Sequence, residues 1–129
     1  MTNWNALTSF ISSNYDVNEM TDSRVKMVFN TGDLRSQVVF LWRMELAQGE
    51  EWIQVESVIG PIASLDMVQA LRIMENHVCG GLALSGELLT VRHAAPLANL
   101  DANEIVRPIV LVTSTADDLE KQLIGSDTF

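Results

Sequence analysis

The stretch from Arg24 to Pro61, RVKMVFNTGDLRSQVVFLWRMELAQGEEWIQVESVIGP, constrains the fold more than any other part of the chain. Val25, Met27 and Phe29 alternate with Lys26 and Asn30, the period-two pattern of a half-buried strand. Thr31-Gly32 offers one tight turn and Gln48-Gly49 a second, so the stretch reads as a three-stranded antiparallel meander. The first turn sets Phe29 opposite Leu34 and Val25 opposite Val38. A two-residue turn at Gln48-Gly49 sets Trp42 opposite Val55, Met44 opposite Ile53 and Val38 opposite Ile59. Val38, Phe40, Trp42, Met44 and Leu46 then share one apolar face with Ile53, Val55 and Ile59, while Arg43 faces Gln54 and Glu45 faces Trp52 on the other. A slip of one residue would exchange the two sets.

That register leaves Val28, Val39, Leu41, Trp52 and Val58 on the second face of the sheet. If helices cover only the first face, these five make a patch too apolar to stand in water. A second subunit, a bound polypeptide segment or the chain's own last helix would each bury it. The first two make the five residues candidates for partner binding. An open strand edge would also accept an extended peptide.

Around the meander the pattern is helical. Trp4, Leu7, Phe10 and Ile11 recur at helical spacing, which predicts a helix over 3–15 capped by Thr2 or Asn3. Residues 16–23, DVNEMTDS, read as a polar link. Gly60-Pro61 ends the meander, Ser64 is placed to cap a helix LDMVQALRIMENHVC, and Gly80-Gly81 stops it. LALSGELLTVRH reads as a hairpin with strands over 82–84 and 87–93, turning near Ser85-Gly86. The final segment predicts one long helix over 98–123, bent near Pro108. The whole chain, 1–129, is expected to be one α+β domain, an antiparallel sheet packed against helices in the order α-β-β-β-α-β-β-α.

That order, the acidic chain, and the residues FNTGDLRSQVVFLWRMELAQGEEWIQVESVIGP and GGLALSGELLTV resemble the secretion-chaperone-like superfamily. The superfamily includes the type III secretion chaperones and the YbjN-like sensory transduction regulators of bacteria. The long helix after the hairpin, LANLDANEIVRPIVLVTSTADDLEKQL, is closer to the YbjN-like branch. The resemblance is one of pattern and carries no catalytic signature. It implies a homodimeric, non-catalytic adaptor that binds a polypeptide client.

The residues themselves give chemistry little to work with. His77, Cys79, His93 and Asp101 match no recurrent metal-ligand spacing. Cys79 reads as a small buried hydrophobe, His77 as a cation at a helix end, and His93 as a strand end. Gly80-Gly81 follows a helix, whereas a phosphate-cradling loop follows a strand and opens a helix. Glu50, Glu51 and Glu56 read as solvated strand carboxylates, and Asp117, Asp118 and Glu120 as the solvated side of the last helix. Neither these nor Asp16 and Glu19 are placed in a cleft that would separate their pKa values for acid–base work. No catalytic, cofactor or metal site is expected, and the chain is not read as an enzyme.

Seventeen acidic against eight basic residues give a net charge of −9. A field of that sign repels phosphate backbones and anionic lipid, so neither nucleic acid nor membrane is an expected partner. No apolar run approaches the ~18 residues of a membrane span, and MTNWNALTSF has no basic stretch ahead of an apolar core, so a cytoplasmic location is the default expectation. The leading expectation is a protein-binding adaptor or chaperone-like regulator. The alternative is a small-molecule sensor or small enzyme whose cavity, between sheet and helices, Met27, Trp42, Met44 and Met74 would line. A permanent structural subunit is a third possibility.

Overall fold

Helix α1, Trp4–Asn14, opens the fold, and Asn3 caps it by accepting a hydrogen bond from the Ala6 N–H. The strands are β1 (Val17–Met20), β2 (Arg24–Gly32), β3 (Arg35–Glu45) and β4 (Glu51–Pro61). After α2 (Met67–Met74) come β5 (Gly81–Ser85), β6 (Leu88–Pro96) and α3 (Ala102–Ile124). The structure is a computed structural model and describes residues 3–32, 34–78 and 80–124; Thr2 and Cys79 lie outside the described residues. The strands form one antiparallel sheet in the order β1-β2-β3-β4-β6-β5. The chain thus has an α+β fold, a six-stranded antiparallel sheet packed against helices.

The core lies between one face of this sheet and the helices. Val25, Met27, Val39, Leu41, Ile53, Val55, Ile59, Leu89 and Val91 of the strands cluster with Trp4, Leu7 and Ile11 of α1, Ala70 and Ile73 of α2, and Ile105, Ile109, Val112, Ala116 and Leu119 of α3. Alternation puts these odd-numbered strand residues on one side. The even-numbered Val38, Phe40, Trp42, Trp52 and Val58 belong neither to the core nor to the side chains packed against it.

Register is where structure and expectation part. In the second hairpin Leu41 pairs with Val55, Trp42 with Gln54 and Met44 with Trp52, one residue away from the expected alignment. The cause is the connection. Glu45 and Glu51 are the last pair, and the odd-numbered linker Leu46 to Glu50 folds into a 3₁₀ turn with Gln48 and Gly49 both at positive φ. The Leu46 and Gly49 N–H groups donate to Glu50 and Leu46 carbonyls, closing it. A linker of odd length where a two-residue turn was expected moves one strand by one position, and every side chain on it changes face. The first hairpin also differs: Val25 pairs with Leu41 and Phe29 with Gln37.

Smaller differences follow local chemistry. The predicted polar link contains β1, whose Val17 is half-buried opposite Met27, and a bulge sits between Val17 and Glu19. Helix α2 is capped by Asp66 rather than Ser64, since Ile62–Ser64 forms a 3₁₀ turn first, and it ends at Met74, short of the expected span. Asp101 and Glu104 form a reciprocal capping box at the start of α3, each side chain accepting the other's backbone N–H, which fixes the helix later than expected. Pro108 is buried inside α3, and the helix runs through it as one element. In the β5–β6 hairpin β6 runs on to Pro96, so His93 lies within the strand, opposite Val55.

Two glycines sit at close approaches. A Cβ on Gly80, at φ +87°, would lie 2.9 Å from the Arg92 carbonyl oxygen. One on Gly60 would meet the Ile124 Cδ1 at 3.0 Å, so glycine lets the end of α3 close onto β4.

Candidate functional site

The sheet face opposite the helices carries side chains that the core does not use. Register aligns them in rows: Met44, Trp52 and Pro96; then Arg24, Trp42, Gln54 and Ala94; then Lys26, Phe40, Glu56, Arg92 and Gly81. Val28 lies opposite Val38, and Val58 opposite Thr90. Val38, Phe40, Trp42, Trp52 and Val58 are half-buried and Val28 is exposed.

Of the five expected partner-binding residues, three are on this face and two are not. Val28, Trp52 and Val58 are there. Val39 and Leu41 are fully buried beneath the helices, because the register shift turns them inward. Val38, Phe40 and Trp42 occupy the open face in their place. Both phases of β3 are apolar; the two aromatic residues of the strand fall on the open one.

The aromatic surface is held in place by charge. The Phe40 and Trp42 rings are 5.5 Å apart, and the Arg24 guanidinium sits 5.4 Å from the first centroid and 5.5 Å from the second. Glu19 pairs with Arg24. Expected in solvent, Glu56 is only 4% exposed. Trp42 Nε1 donates to its Oε1 at 2.9 Å and Arg92 Nε donates to Oε2 at 2.5 Å, so the buried carboxylate is satisfied on both oxygens. Trp52 Nε1 donates to Glu50 Oε1 at 2.8 Å. Lys26 is half-buried in the same row as Phe40 and makes no ion pair or hydrogen bond from its side chain among the described residues.

The expected solvated acids of α3 are also differently employed. Asp117 is 7% exposed and ties the β2–β3 hairpin to α3, accepting from Thr31 Oγ1 at 2.9 Å and Arg35 Nε at 3.1 Å. Glu120 lies 3.4 Å from Arg35; burial raises its pKa and the Asp117 charge adds to this, against the pull of Arg35. The His77 backbone N–H donates to the last carbonyl of α2, Met74, but its side chain engages α3: Nε2 lies 2.9 Å from Asp118 Oδ2 and Nδ1 3.3 Å from Thr115 Oγ1. Burial pulls the Asp118 pKa upward, but hydrogen bonds from Gln122 and His77 and the charges of His77 and Lys121 outweigh it, leaving a net lowering. Although carboxylate, imidazole and hydroxyl align here, Thr115 is 2% exposed, which closes it to a substrate.

Met27, Trp42, Met44 and Met74 do not line a common cavity, because Met27 is in the core and Trp42 and Met44 are on the other face. A groove of about 440 Å³ lies instead between α3 and the end of β2, with Tyr15, Phe29, Thr31, Ile109, Thr113 and Asp117 in its lining. Among the described residues no three His, Cys, Asp or Glu side chains are placed to hold a metal ion. No helix among them is long and apolar enough to cross a membrane.

In fold the chain is similar to a chain in the solved structure of the HopA1–SchA chaperone–effector complex, with a TM-score of 0.62 and 11% identity over 88% of this chain and 87% of that one. No protein-family model matches the sequence, and no curated protein matches it. At this identity the likeness is one of fold.

Proposed function

We propose that this chain is a non-catalytic, chaperone-like protein that holds a segment of another polypeptide against the uncovered face of its sheet. One observation carries the reading: three strands present Val28, Val38, Phe40, Trp42, Trp52 and Val58 on a face that no core element covers. Half-exposed aromatics with ordered polar edges are the side chains that dominate protein interfaces. The fold similarity to a chain of a chaperone–effector complex supports the same reading, and within that fold we place the chain nearer the YbjN-like branch, acting in the cytoplasm.

A homodimer is part of the proposal. Val68 and Leu71 on α2 and Leu84 of β5, whose register partner Leu89 belongs to the core, are exposed apolar side chains away from the candidate face. They give a second copy a separate surface to bury. A small-molecule sensor is the second reading; the groove beside Tyr15 and Phe29 favours it, and its volume is in the range of ligand sites.

Co-purification at physiological salt tests the choice. The tagged protein is expected to enrich a specific polypeptide that Trp52→Glu and Phe40→Asp both lose, with the far-ultraviolet circular dichroism unchanged. Equal recovery by the wild type and both folded variants would remove the face from the account. No enriched polypeptide, together with a metabolite that raises the melting temperature, would favour the groove.

A further inference from the structure

The carboxylates on the uncovered face are already engaged: Glu19 with Arg24, Glu56 with Arg92 and Trp42, and Glu50 with Trp52. Arg24 and Arg92 are neutralised by these contacts. Lys26 is the exception, a half-buried cation that makes no ion pair among the described residues: its cross-strand neighbour in β1, Glu19, is held by Arg24, so one carboxylate faces two cations. Lys26 lies opposite Phe40, two residues along β2 from Val28 and two from Arg24. A segment laid across Phe40 and Trp42 covers Lys26 as well, because neighbouring strands are only about 4.8 Å apart. A covered ammonium with no acceptor opposes binding, so a wholly apolar segment is penalised at this point, and one that brings a carboxylate is not.

Resting on the reading that this face holds a polypeptide, we infer that its partner segment is apolar with an Asp or Glu side chain, or a chain-terminal carboxylate, that pairs with Lys26. The carboxylate falls within one or two residues of the aromatic or branched side chain seated on Phe40. A second copy of this chain does not meet the requirement through the same face: an isologous contact presents that face's own charges again, with Lys26 still lacking an ion pair and every carboxylate of the face already engaged. Single-stranded nucleic acid would use the aromatic rings, but it brings a row of phosphates to a surface on which two of three cations are already paired, on a strongly acidic protein.

Selection of random displayed peptides against the folded protein tests this. The selected peptides are expected to share an acidic residue close to an aromatic or branched aliphatic one. In a synthesised winner, acid-to-amide replacement should weaken binding about tenfold, the loss of one charge-assisted contact. Lys26→Met should cause the same loss for the acidic peptide and almost none for its amide counterpart, and Lys26→Arg should keep most of the affinity. Peptides that need Phe40, by loss of binding in Phe40→Ser, but show no acid preference and no response to Lys26→Met would overturn the inference and leave the protein-binding face intact. Three results would overturn the face reading as well: winners indifferent to both Phe40→Ser and Trp42→Ser, tighter binding of an oligothymidylate than of any peptide, or conversion of a dimer to monomer by Phe40→Ser. Lys26 packs in no core cluster, so its variants keep the test open even if Phe40→Ser fails to fold.

Discussion

Leu41 and Trp42 are neighbours in the chain, yet one is at the centre of the core and the other looks out from the far face of the same sheet. The buried face is aliphatic, with Val39, Leu41, Ile53 and Val55 closed over by three helices. The open face is aromatic and charged, with Phe40, Trp42 and Trp52 edged by Arg24, Glu56 and Arg92. The aliphatic set gains stability simply by leaving water. The aromatic set keeps its polar atoms hydrogen-bonded and its rings accessible, a state that serves contact with something else. The contrast assigns stability to one phase of the strands and binding to the other.

The sharpest way to break the comparison is to truncate each side at adjacent positions. Leu41→Ala should cost about 2–5 kcal/mol in urea unfolding, as other buried leucines do. Phe40→Ala should cost about 1 kcal/mol, since the ring is only half removed from water. Equal losses would mean that both faces are core.

Next in size is the charge that orders the aromatic face. Arg92→Met leaves the buried Glu56 carboxylate with Trp42 as its one remaining side-chain donor among the described residues, a loss of about 2 kcal/mol. Adding Glu56→Gln should recover part of it, and the near-ultraviolet dichroism of Trp42 should change in the single variant. An exposed, weakly held pair would give no measurable change in either. Gly80→Ala asks whether β5 is fixed to β6 by close approach: positive φ and a 2.9 Å clash with the Arg92 carbonyl predict a loss of about 1–2 kcal/mol. A neutral result would show that the turn relaxes freely.

The smallest effect depends on pH. Asp118 has its pKa lowered in the folded protein, so its contribution is present above the ordinary value of 3.8 and is lost as pH falls through the lower folded value. Asp118→Asn should therefore be less stable than wild type at pH 7, by under about 1 kcal/mol for so exposed a group, with the gap closing in acid. Glu120 has the opposite sign: its raised pKa favours folding below the ordinary value of 4.5, an advantage lost as pH rises through the folded value. Urea titrations across pH 3 to 7 would separate the two, and a gap for Asp118→Asn that widened in acid would contradict the assignment.

Much of this fold was legible in the sequence. The meander, the second hairpin and all three helices follow from period and punctuation, and β4 was assigned to its correct faces from Ile53, Val55 and Trp52. The orientation of β3 was not legible, because Val39 and Leu41 on one phase and Val38, Phe40 and Trp42 on the other are both apolar. With hydrophobicity silent, the linker decided, and the positive φ of Gln48 is not announced by its residue type. For the same reason the candidate face was half read: Val28, Trp52 and Val58 came from strands with a clear alternation, while Val39 and Leu41 stood where Phe40 and Trp42 belong. The burial of Glu56 and Asp117 was hidden too, since their partners Arg92 and Arg35 are distant in the chain.

Thiol reactivity at positions 40 and 41 tests the division of the sheet most directly. In a Cys79→Ser background, Phe40→Cys should react with a maleimide at least about a hundredfold faster than Leu41→Cys, whose labelling requires the protein to open. Addition of a bound partner polypeptide should slow the reaction at position 40. Equal rates at the two positions, or full reactivity at position 40 in the bound state, would contradict the account.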